Sequence, residues 1–430
     1  MSRAAAFVAY AAFALEAAVY IWFRDYLDIY LSPILFFGAG LVLSLATYRH
    51  LQARGARIAF TTSHRSLVRR SLPYAVAAIG TAVPGVLLGA LISAVRLDPQ
   101  ASDIIPSLHV YVARFLAGDV VYAPIPDFGS ALYPPYLTLQ WIPFVIPELA
   151  GLDYRWLPFA VFAIGAVIYV RHLAALRRPP LEEAVKASIP YVLVTLLVLT
   201  RPFTFAHTVE LLIVGFYYAA AASIFSASAV VRALGLTVTL LSRFAIAVWV
   251  PLYLSLIGSR EGWRGALLVA ALTALAVVAL YVIPFVVPDP LVFFRGQEYY
   301  LTGTLIEWQR FASPGRTYHV HNGLAFAVYI YDALPGSIAD RVNVTRVVHV
   351  VASLGAVALL AVWYRRSRPR IDHRLFALLS LKVSVATFYF FFQLPYDYYV
   401  MVSVFLSAWL VIHVAPRWDP GSAAPPPAAA

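Results

Sequence analysis

The chain has 430 residues, of which 62% are apolar and only 12% charged, with a mean hydropathy of +0.78. A soluble fold cannot cover that much apolar surface, so the solvent for most of it is lipid, and disorder is excluded outside the C-terminal stretch. The absence of cysteine excludes disulfides, thiolate metal sites and cysteine nucleophiles. The net charge of +11 is carried almost wholly by arginine, Lys186 and Lys382 being the only lysines, and reads as loop charge that orients helices, not as a nucleic-acid surface.

In chain order, runs long and apolar enough for a membrane-crossing helix fall at 5–23, 29–48, 73–95, 157–175, 187–200, 209–228, 265–287, 343–364, 375–393 and 397–413. No cleavage site followed by a soluble domain accompanies the first run, which reads as a span and not as a signal peptide. Two further apolar pieces differ. Residues 135–150 are short and interrupted by Pro143 and Pro147, which predicts a re-entrant or in-plane segment. Residues 233–257 carry Arg243 in their middle and Pro251 soon after. That pattern predicts a broken helix pair that enters and leaves on one side, with protein or a cavity around its non-helical backbone. The last residues, Asp419–Ala430, read as a disordered tail.

Arginine placement predicts the sidedness. Residues 49–70 hold six arginines (49, 54, 57, 65, 69 and 70) and no acid. Residues 171–186 hold Arg171, Arg177, Arg178 and Lys186, and residues 365–374 hold five arginines against Asp372. All three stretches are expected to be cytoplasmic. They agree with one another only if neither ambiguous piece makes a net crossing. The expected architecture is an all-α polytopic membrane protein of about ten transmembrane helices plus re-entrant or in-plane helices. Both termini are expected to be cytoplasmic and the membrane to be the plasma membrane. Two long outer regions remain, 96–156 and 288–342. No internal repeat is visible, which weighs against an inverted-repeat transporter.

The first outer region carries Asp98, Asp103, Asp119 and Asp127. Within it Leu108, Val112, Phe115 and Leu116 recur at helical spacing, which predicts an amphipathic helix over 106–117, ended by Gly118 and lying at the interface. Asp103 suits either an N-cap of that helix or a catalytic carboxylate, and His109 an interfacial or a functional role. Asp119 and Asp127 read first as turn or capping residues. In the second region Arg295, Arg310 and Arg316, followed by His319, His321 and Asn322, offer donors to a phosphate. The same arginines suit contact with anionic headgroups, and a His-x-His pair alone makes no metal site. Arg243 and Glu210 are intramembrane or membrane-edge charges, a class that is costly and functional by default.

The run Asp103-Ile-Ile-Pro-Ser-Leu-His-Val-Tyr-Val-Ala-Arg-Phe-Leu-Ala-Gly118, with Val121-Tyr122 and Tyr133-Pro134-Pro135-Tyr136, resembles the first outer loop of GT-C glycosyltransferases. The nearest pattern is that of the polyprenyl-phosphate-mannose-dependent α-mannosyltransferases, the DUF2029-like family. Weaker echoes follow in the family's order: Arg201-Pro202 through Glu210, Arg243, His321-Asn322-Gly323-Leu324, and Pro395-Tyr396-Asp397-Tyr398-Tyr399. The resemblance covers residues 73–413. Residues 1–72, two extra N-terminal spans and a basic loop, lie outside it, and 416–430 form the tail. The sequence departs from the pattern where Ile105 stands in place of the second acid of an Asp-x-Asp, where the Asn-Gly-Leu element lacks glutamine and serine, and where Tyr398 replaces a histidine.

The resemblance implies an extracytoplasmic glycosyltransferase with Asp103 as general base. The donor implied is a polyprenyl-phosphate sugar, mannose first, and the acceptor a lipid-linked sugar or glycan. No cofactor is called for beyond that donor substrate, and a divalent metal is left open by the missing second acid. Substrate contacts are expected from His109, Arg201, Glu210, Arg243, Arg295, Arg310, Arg316, His319, His321, Asn322 and Asp397. Membrane lipid is the expected partner and nucleic acid is not. The alternatives are a transporter or flippase for a lipid-linked sugar, and an inactive GT-C-like subunit of an envelope assembly.

Overall fold

A chain surrounded by lipid satisfies its backbone groups within helices, and the computed structural model is helical nearly throughout. It describes residues 2–22, 27–54, 67–99, 101–126, 135–367 and 371–415. Asp127, Tyr133, Pro134, Arg57, Arg65, Arg368, Arg370 and the tail lie outside the described residues, as do the side chains of Arg54, Arg69 and Arg70. The helices are α1 (Ser2–Ile21), α2 (Leu31–Arg54), α3 (Leu67–Ala94), α4 (Ile104–Ala117), α5 (Thr138–Trp141), α6 (Val145–Ala150), α7 (Trp156–Ala175), α8 (Pro180–Thr200) and α9 (Pro202–His207). They continue as α10 (Glu210–Ser223), α11 (Ala229–Leu240), α12 (Val250–Glu261), α13 (Trp263–Val277, prolonged by a π-helical stretch Val278–Val286) and α14 (Val292–Gln309). After a two-stranded antiparallel hairpin, β1 (Phe311–Ser313) and β2 (Arg316–Thr317), come α15 (Ala327–Ala333), α16 (Ile338–Ser367), α17 (His373–Phe390) and α18 (Met401–His413).

Seven of the described helices are long and apolar enough to cross a membrane: Arg3–Ile21, Leu31–Ala53, Ser71–Ala94, Trp156–Ala175, Pro180–Thr200, Trp263–Val286 and Ile338–Arg366. The chain is therefore a multi-pass all-α membrane protein. The other three runs read from the sequence as spans, 209–228, 375–393 and 397–413, correspond to α10, α17 and α18, which fall outside this set. These three are among the most buried helices of the bundle. A helix encased in protein is freed from the length and composition that lipid contact imposes. By contrast α3, α13 and α16 turn most of their surface outward.

The hydrogen bonds sort the connections to two ends. At one end the Tyr10 hydroxyl donates to Val414 O (2.8 Å), Arg178 Nη2 to Ile412 O (3.3 Å), and Arg260 Nε to the Tyr364 hydroxyl (2.8 Å). This end holds the α7–α8, α12–α13 and α16–α17 connections, where the basic stretches around 171–186 and 365–374 lie. At the other end Ser102 Oγ donates to His207 O (3.2 Å), the Tyr30 hydroxyl to Asp332 (2.9 Å), and Trp308 Nε1 to Gln393 O (2.8 Å). The loops expected outside, 96–156 and 288–342, meet here.

Both ambiguous pieces are broken helices. Residues 138–150 form two short helices joined by a 3-10 turn and ended by Gly151 at φ 64°. Residues 229–261 form a helical hairpin, α11 and α12, with its break at 241–249. Arg232 closes the hairpin's outer ends through a bidentate pair with Glu261 (Nη1–Oε2 2.5 Å, Nη2–Oε1 2.9 Å). The tip meets α5, where Leu139 N donates to Leu241 O (2.9 Å). Each arm is a 12-residue helix with a rise of about 18 Å.

Close approach of α7 and α10 depends on Gly215, where a Cβ would lie 2.6 Å from Val161 O. The N-terminal hairpin α1–α2 is fastened into the same core. Lys382 of α17 pairs with Glu16 of α1 (2.5 Å) and donates to Ser403 O of α18 (2.8 Å), while Ser407 Oγ donates to Glu16 Oε2 (2.6 Å).

Burial opposes ionisation of Glu261, but hydrogen bonds from Arg232 and His373 outweigh it and hold the carboxyl down to about 2. A depressed carboxyl stabilises the fold above its unfolded pKa and loses that contribution as pH falls through the folded value. Glu261→Gln is therefore expected to lower the thermal midpoint in detergent at pH 7, leaving Arg232 buried without its carboxylate at a cost of roughly 3–5 kcal/mol. The gap from wild type narrows as pH drops from about 4 toward 2. A gap independent of pH counts against the pair.

Candidate functional site

Five elements converge at the end opposite the basic loops. They are the start of α4, the α9–α10 junction, the tip of the α11–α12 hairpin, α14, and the segment 391–400. All but α14 contribute a polar group where a helix begins or is interrupted. The break after α11 leaves Arg243 extended (φ −152°, ψ 126°), so that its side chain leaves the hairpin axis. Glu210 is the first residue of α10, where a carboxylate is favoured by the helix dipole. Asp397 opens a 3-10 turn ahead of α18.

The central contact is an ion pair between Arg243 and Glu210, with Glu210 only 2% exposed. The guanidinium also lies 4.4 Å over the Tyr399 ring, a cation–π geometry. Arg243 lines a cavity of about 40 Å³ with Gln140, Tyr300, Phe388, Tyr389 and Tyr399. Glu210 also lines a second, water-sized gap of about 10 Å³ with Arg155, Thr204 and Thr208. Beside this pair lies another: Arg201 Nη1 meets Asp397 Oδ2 at 2.9 Å, while Arg201 Nε donates to Tyr20 O (3.1 Å) at the end of α1. The structure thus joins four residues that the sequence offered singly, two cations with two carboxylates.

Asp103 occupies the N-cap position of α4 but its side chain makes no capping hydrogen bond. Burial pushes its carboxyl above the ordinary aspartate range, and the Glu307 carboxylate pushes in the same direction. It lies within electrostatic reach of the hydroxyls of Tyr136, Tyr299, Tyr300 and Tyr396. Tyr300, which lines the Arg243 cavity, feels Arg243 and Glu210 as well as Asp103. The helix carrying Asp103 rests on an aromatic layer. Its buried face is Ile105, Ser107, Leu108, Tyr111 and Val112, while Phe115 and Leu116, expected on the apolar stripe, are exposed. Beneath it Trp141 Nε1 donates to the Tyr122 hydroxyl (3.0 Å), which donates to Tyr136 O (2.8 Å). Gly118, at φ 76°, ends α4 as predicted, and Asp119 N bonds back to Arg114 O (2.8 Å), the turn role expected of Asp119.

The second outer region behaves differently from its expectation. Arg295 pairs with Asp289, and Arg310 approaches Glu307 (3.7 Å) from an exposed position. Arg316 is exposed on β2. These arginines are spread along the region and are not gathered on the cavity. His321 is buried and structural: its Nδ1 accepts from Thr317 N (3.0 Å), which leaves Nε2 to donate to Asp332 (3.3 Å). Asn322 Nδ2 donates to Tyr318 O (2.8 Å) and shapes the same turn. Gly323 then lets this turn reach the other motif, since a Cβ there would lie 2.2 Å from Pro395 O. His109 points away from the cavity and stacks on Tyr154 (3.7 Å between centroids), 3.6 Å from Glu148. Burial lowers its pKa against the pull of Glu148.

His319 does reach the site. Its Nε2 lies 3.1 Å from Glu307 Oε2, and its ring meets that of Tyr396 edge-on at 4.6 Å. Glu307 and Tyr300 were not singled out from the sequence. The usable signal was helical spacing, with Tyr300, Thr304 and Glu307 separated by four and three residues on α14. Among the described residues no three His, Asp or Glu side chains converge to hold a metal ion. The assembly is suited to an anion beside Arg243, flat polar rings against the tyrosines, and proton transfer at Asp103.

Removing one member of the Arg243–Glu210 pair strands a buried charge, so Arg243→Gln and Glu210→Gln are each expected to cost roughly 3–5 kcal/mol. The double variant is expected to regain a large part of that loss, read as the thermal midpoint in detergent. Strictly additive losses refute a coupled pair. No family model matches the chain, and no curated protein or solved structure is significantly similar to it.

Proposed function

We propose that the protein is a membrane glycosyltransferase of the GT-C type. It moves a sugar, with mannose favoured, from a polyprenyl-phosphate carrier to a hydroxyl of a lipid-linked or glycan acceptor. In this reading α10, α17 and α18 complete ten spans and the basic end faces the cytoplasm. The reaction then takes place on the outer side of the plasma membrane. The single observation that carries it is the buried Arg243–Glu210 pair opening on an aromatic cavity whose Tyr300 also feels the Asp103 carboxylate.

Each group has a task in such a transfer. Asp103 takes the proton of the acceptor hydroxyl as its oxygen bonds to the anomeric carbon. The bond from that carbon to the carrier's phosphate oxygen breaks, and its electron pair leaves on the phosphate. A guanidinium has five N–H donors, so its pairing with Glu210 leaves donors for a phosphate oxygen. Held in a low-dielectric wall, that cation stabilises the leaving charge without reorganising. The tyrosine rings offer faces to a sugar, and their hydroxyls offer hydrogen bonds.

A transport reading finds one observation in its favour, the buried Glu16–Lys382 pair among the central helices. Those charges are answered by each other and by Ser403 and Ser407, which suits a fastening of α1 better than a carried ion.

The test is transfer from labelled polyprenyl-phosphate mannose by membranes holding wild type or Asp103→Asn. Wild type is expected to label lipid or glycan, and the folded variant to lose at least about 10²-fold in rate. The wild-type rate is expected to fall as pH drops through a value above the ordinary aspartate range, where the base becomes protonated. Equal transfer by both proteins removes Asp103 from the chemistry. Absence of transfer with mannose, arabinose and glucose donors alike removes the enzyme reading.

A further inference from the structure

The two oxygens of Glu210 have unlike surroundings. Oε1 pairs with Arg243 on the wall of the aromatic cavity. Oε2 has no hydrogen-bond partner among the described residues, although Glu210 is buried. Behind the pair lies the gap of about 10 Å³ where α3, α7, α10 and α18 come together, lined by Glu210, Arg155, Thr204, Thr208 and Met401. That is room for a single water molecule. Its four polar residues are each at most 7% exposed. Their hydrogen bonds show which atoms are left for the gap. Arg155 directs Nε to Asp153 Oδ1 (2.9 Å), Nη2 to Asp153 Oδ2 (2.6 Å) and Ile92 O (3.2 Å), and Nη1 to Val95 O (2.7 Å). A guanidinium has five N–H donors, so one Nη1 hydrogen is left over among the described residues. Thr208 Oγ1 donates its hydrogen to Thr204 O (2.6 Å) and accepts a long bond from Glu210 N (3.5 Å), which leaves one lone pair.

We propose that one ordered water is bound in this gap, donating to Glu210 Oε2 and Thr208 Oγ1 and accepting from Arg155 Nη1. The lining selects a small neutral ligand that both donates and accepts. A cation there would meet the Arg155 guanidinium, and an anion the Glu210 carboxylate. An apolar filling would leave a buried carboxylate oxygen and a guanidinium hydrogen unsatisfied, which is costly. Water satisfies both, and three hydrogen bonds are the usual number for a buried water. The Glu210 carboxylate then answers two arginines, Arg243 directly and Arg155 through the water. Arg155 is itself fixed to the end of α3 through Ile92 O and Val95 O. The water is thus a built part of the site wall: it solvates the oxygen that the ion pair leaves bare, and it ties that pair to α3. This holds whatever reaction the cavity serves.

Met401 supplies the reporter. It lines the gap, is fully buried, and is the chain's only methionine besides Met1. X-ray radiolysis splits bound water into hydroxyl radicals that oxidise the side chains touching it, whereas peroxide in bulk solvent reaches exposed thioethers alone. Full-length protein in detergent is treated with each, and oxidation of the peptide that carries Met401 is read by mass spectrometry. Wild type is expected to gain oxygen at Met401 under radiolysis and to gain none from peroxide. Thr208→Val keeps the shape of the side chain but removes the acceptor, and is expected to lose most of the radiolytic labelling. Thr208→Ser keeps the hydroxyl and is expected to retain it. Misfolding would raise labelling by both reagents, so a loss in Thr208→Val cannot come from an unfolded variant. No radiolytic labelling of Met401 in wild type overturns the proposal. So does labelling by peroxide as well, or radiolytic labelling unchanged in Thr208→Val.

Discussion

A charge buried in a lipid-embedded bundle has no bulk water to turn to, and in this protein several of those described in the core are answered by a side chain from a distant part of the chain. The Arg243–Glu210 pair is the one on which the site depends. It ties the tip of a helical hairpin to the first residue of α10, fixes how deep that hairpin reaches, and leaves a cation at the wall of a cavity. Arg232–Glu261 closes the outer ends of the same hairpin, Arg201–Asp397 joins α9 to the start of α18, and Lys382–Glu16 draws α1 into the core. Removing either partner of such a pair costs more than the pair itself contributes, because the desolvation penalty of the remaining charge stands alone.

The site is built from helix interruptions. Had α11 and α12 been one straight helix, Arg243 would face lipid or a neighbouring helix. Broken at 241–249, they present it to a cavity instead. The same holds for Arg201 and Glu210 on either side of α9, and for the 3-10 turn at Asp397. Each break exposes backbone groups, tolerable only where protein packs around them, and the aromatic layer of Tyr111, Tyr122, Trp141 and Phe144 supplies that packing under α4. The π-helical end of α13 adds Tyr281 and Phe285 to the layer, with Phe285 5.2 Å from the Tyr122 ring and 5.7 Å from that of Trp141.

The two ends of the bundle divide the work. One carries arginine-rich connections stapled to helix ends by carbonyls and carboxylates. The other carries long loops that fold back as helices and pack over the core. The second gathers carboxylates, cations and tyrosine hydroxyls around a cavity. The proposed transfer reaction belongs to that end.

Much of this was legible in the residues. Apolar runs and arginine clusters determined a multi-pass helical protein with two unlike sides, because hydropathy and loop charge act locally and need no tertiary contact. Proline positions and Arg243 marked the two pieces whose helices are broken, and Gly118 marked the end of α4. Hydropathy alone did not separate helices that meet lipid from those that meet protein, so ten runs looked alike where seven have the form of spans. The loop arginines 295, 310 and 316 looked like a phosphate site because charge type was visible and direction was not. His109 belonged by spacing to the helix of Asp103, yet the helical rotation turns it to the opposite face. Pairing was likewise beyond reach: Arg201 with Asp397, Arg243 with Glu210 and Glu307 with His319 are joined across 196, 33 and 12 positions. The sequence by itself determined which groups had to be buried or wet, since transfer between solvents is a property of each residue. Which carboxylate faces which cation was decided only by the tertiary structure, because a partner for a buried charge is chosen by the packing of whole helices.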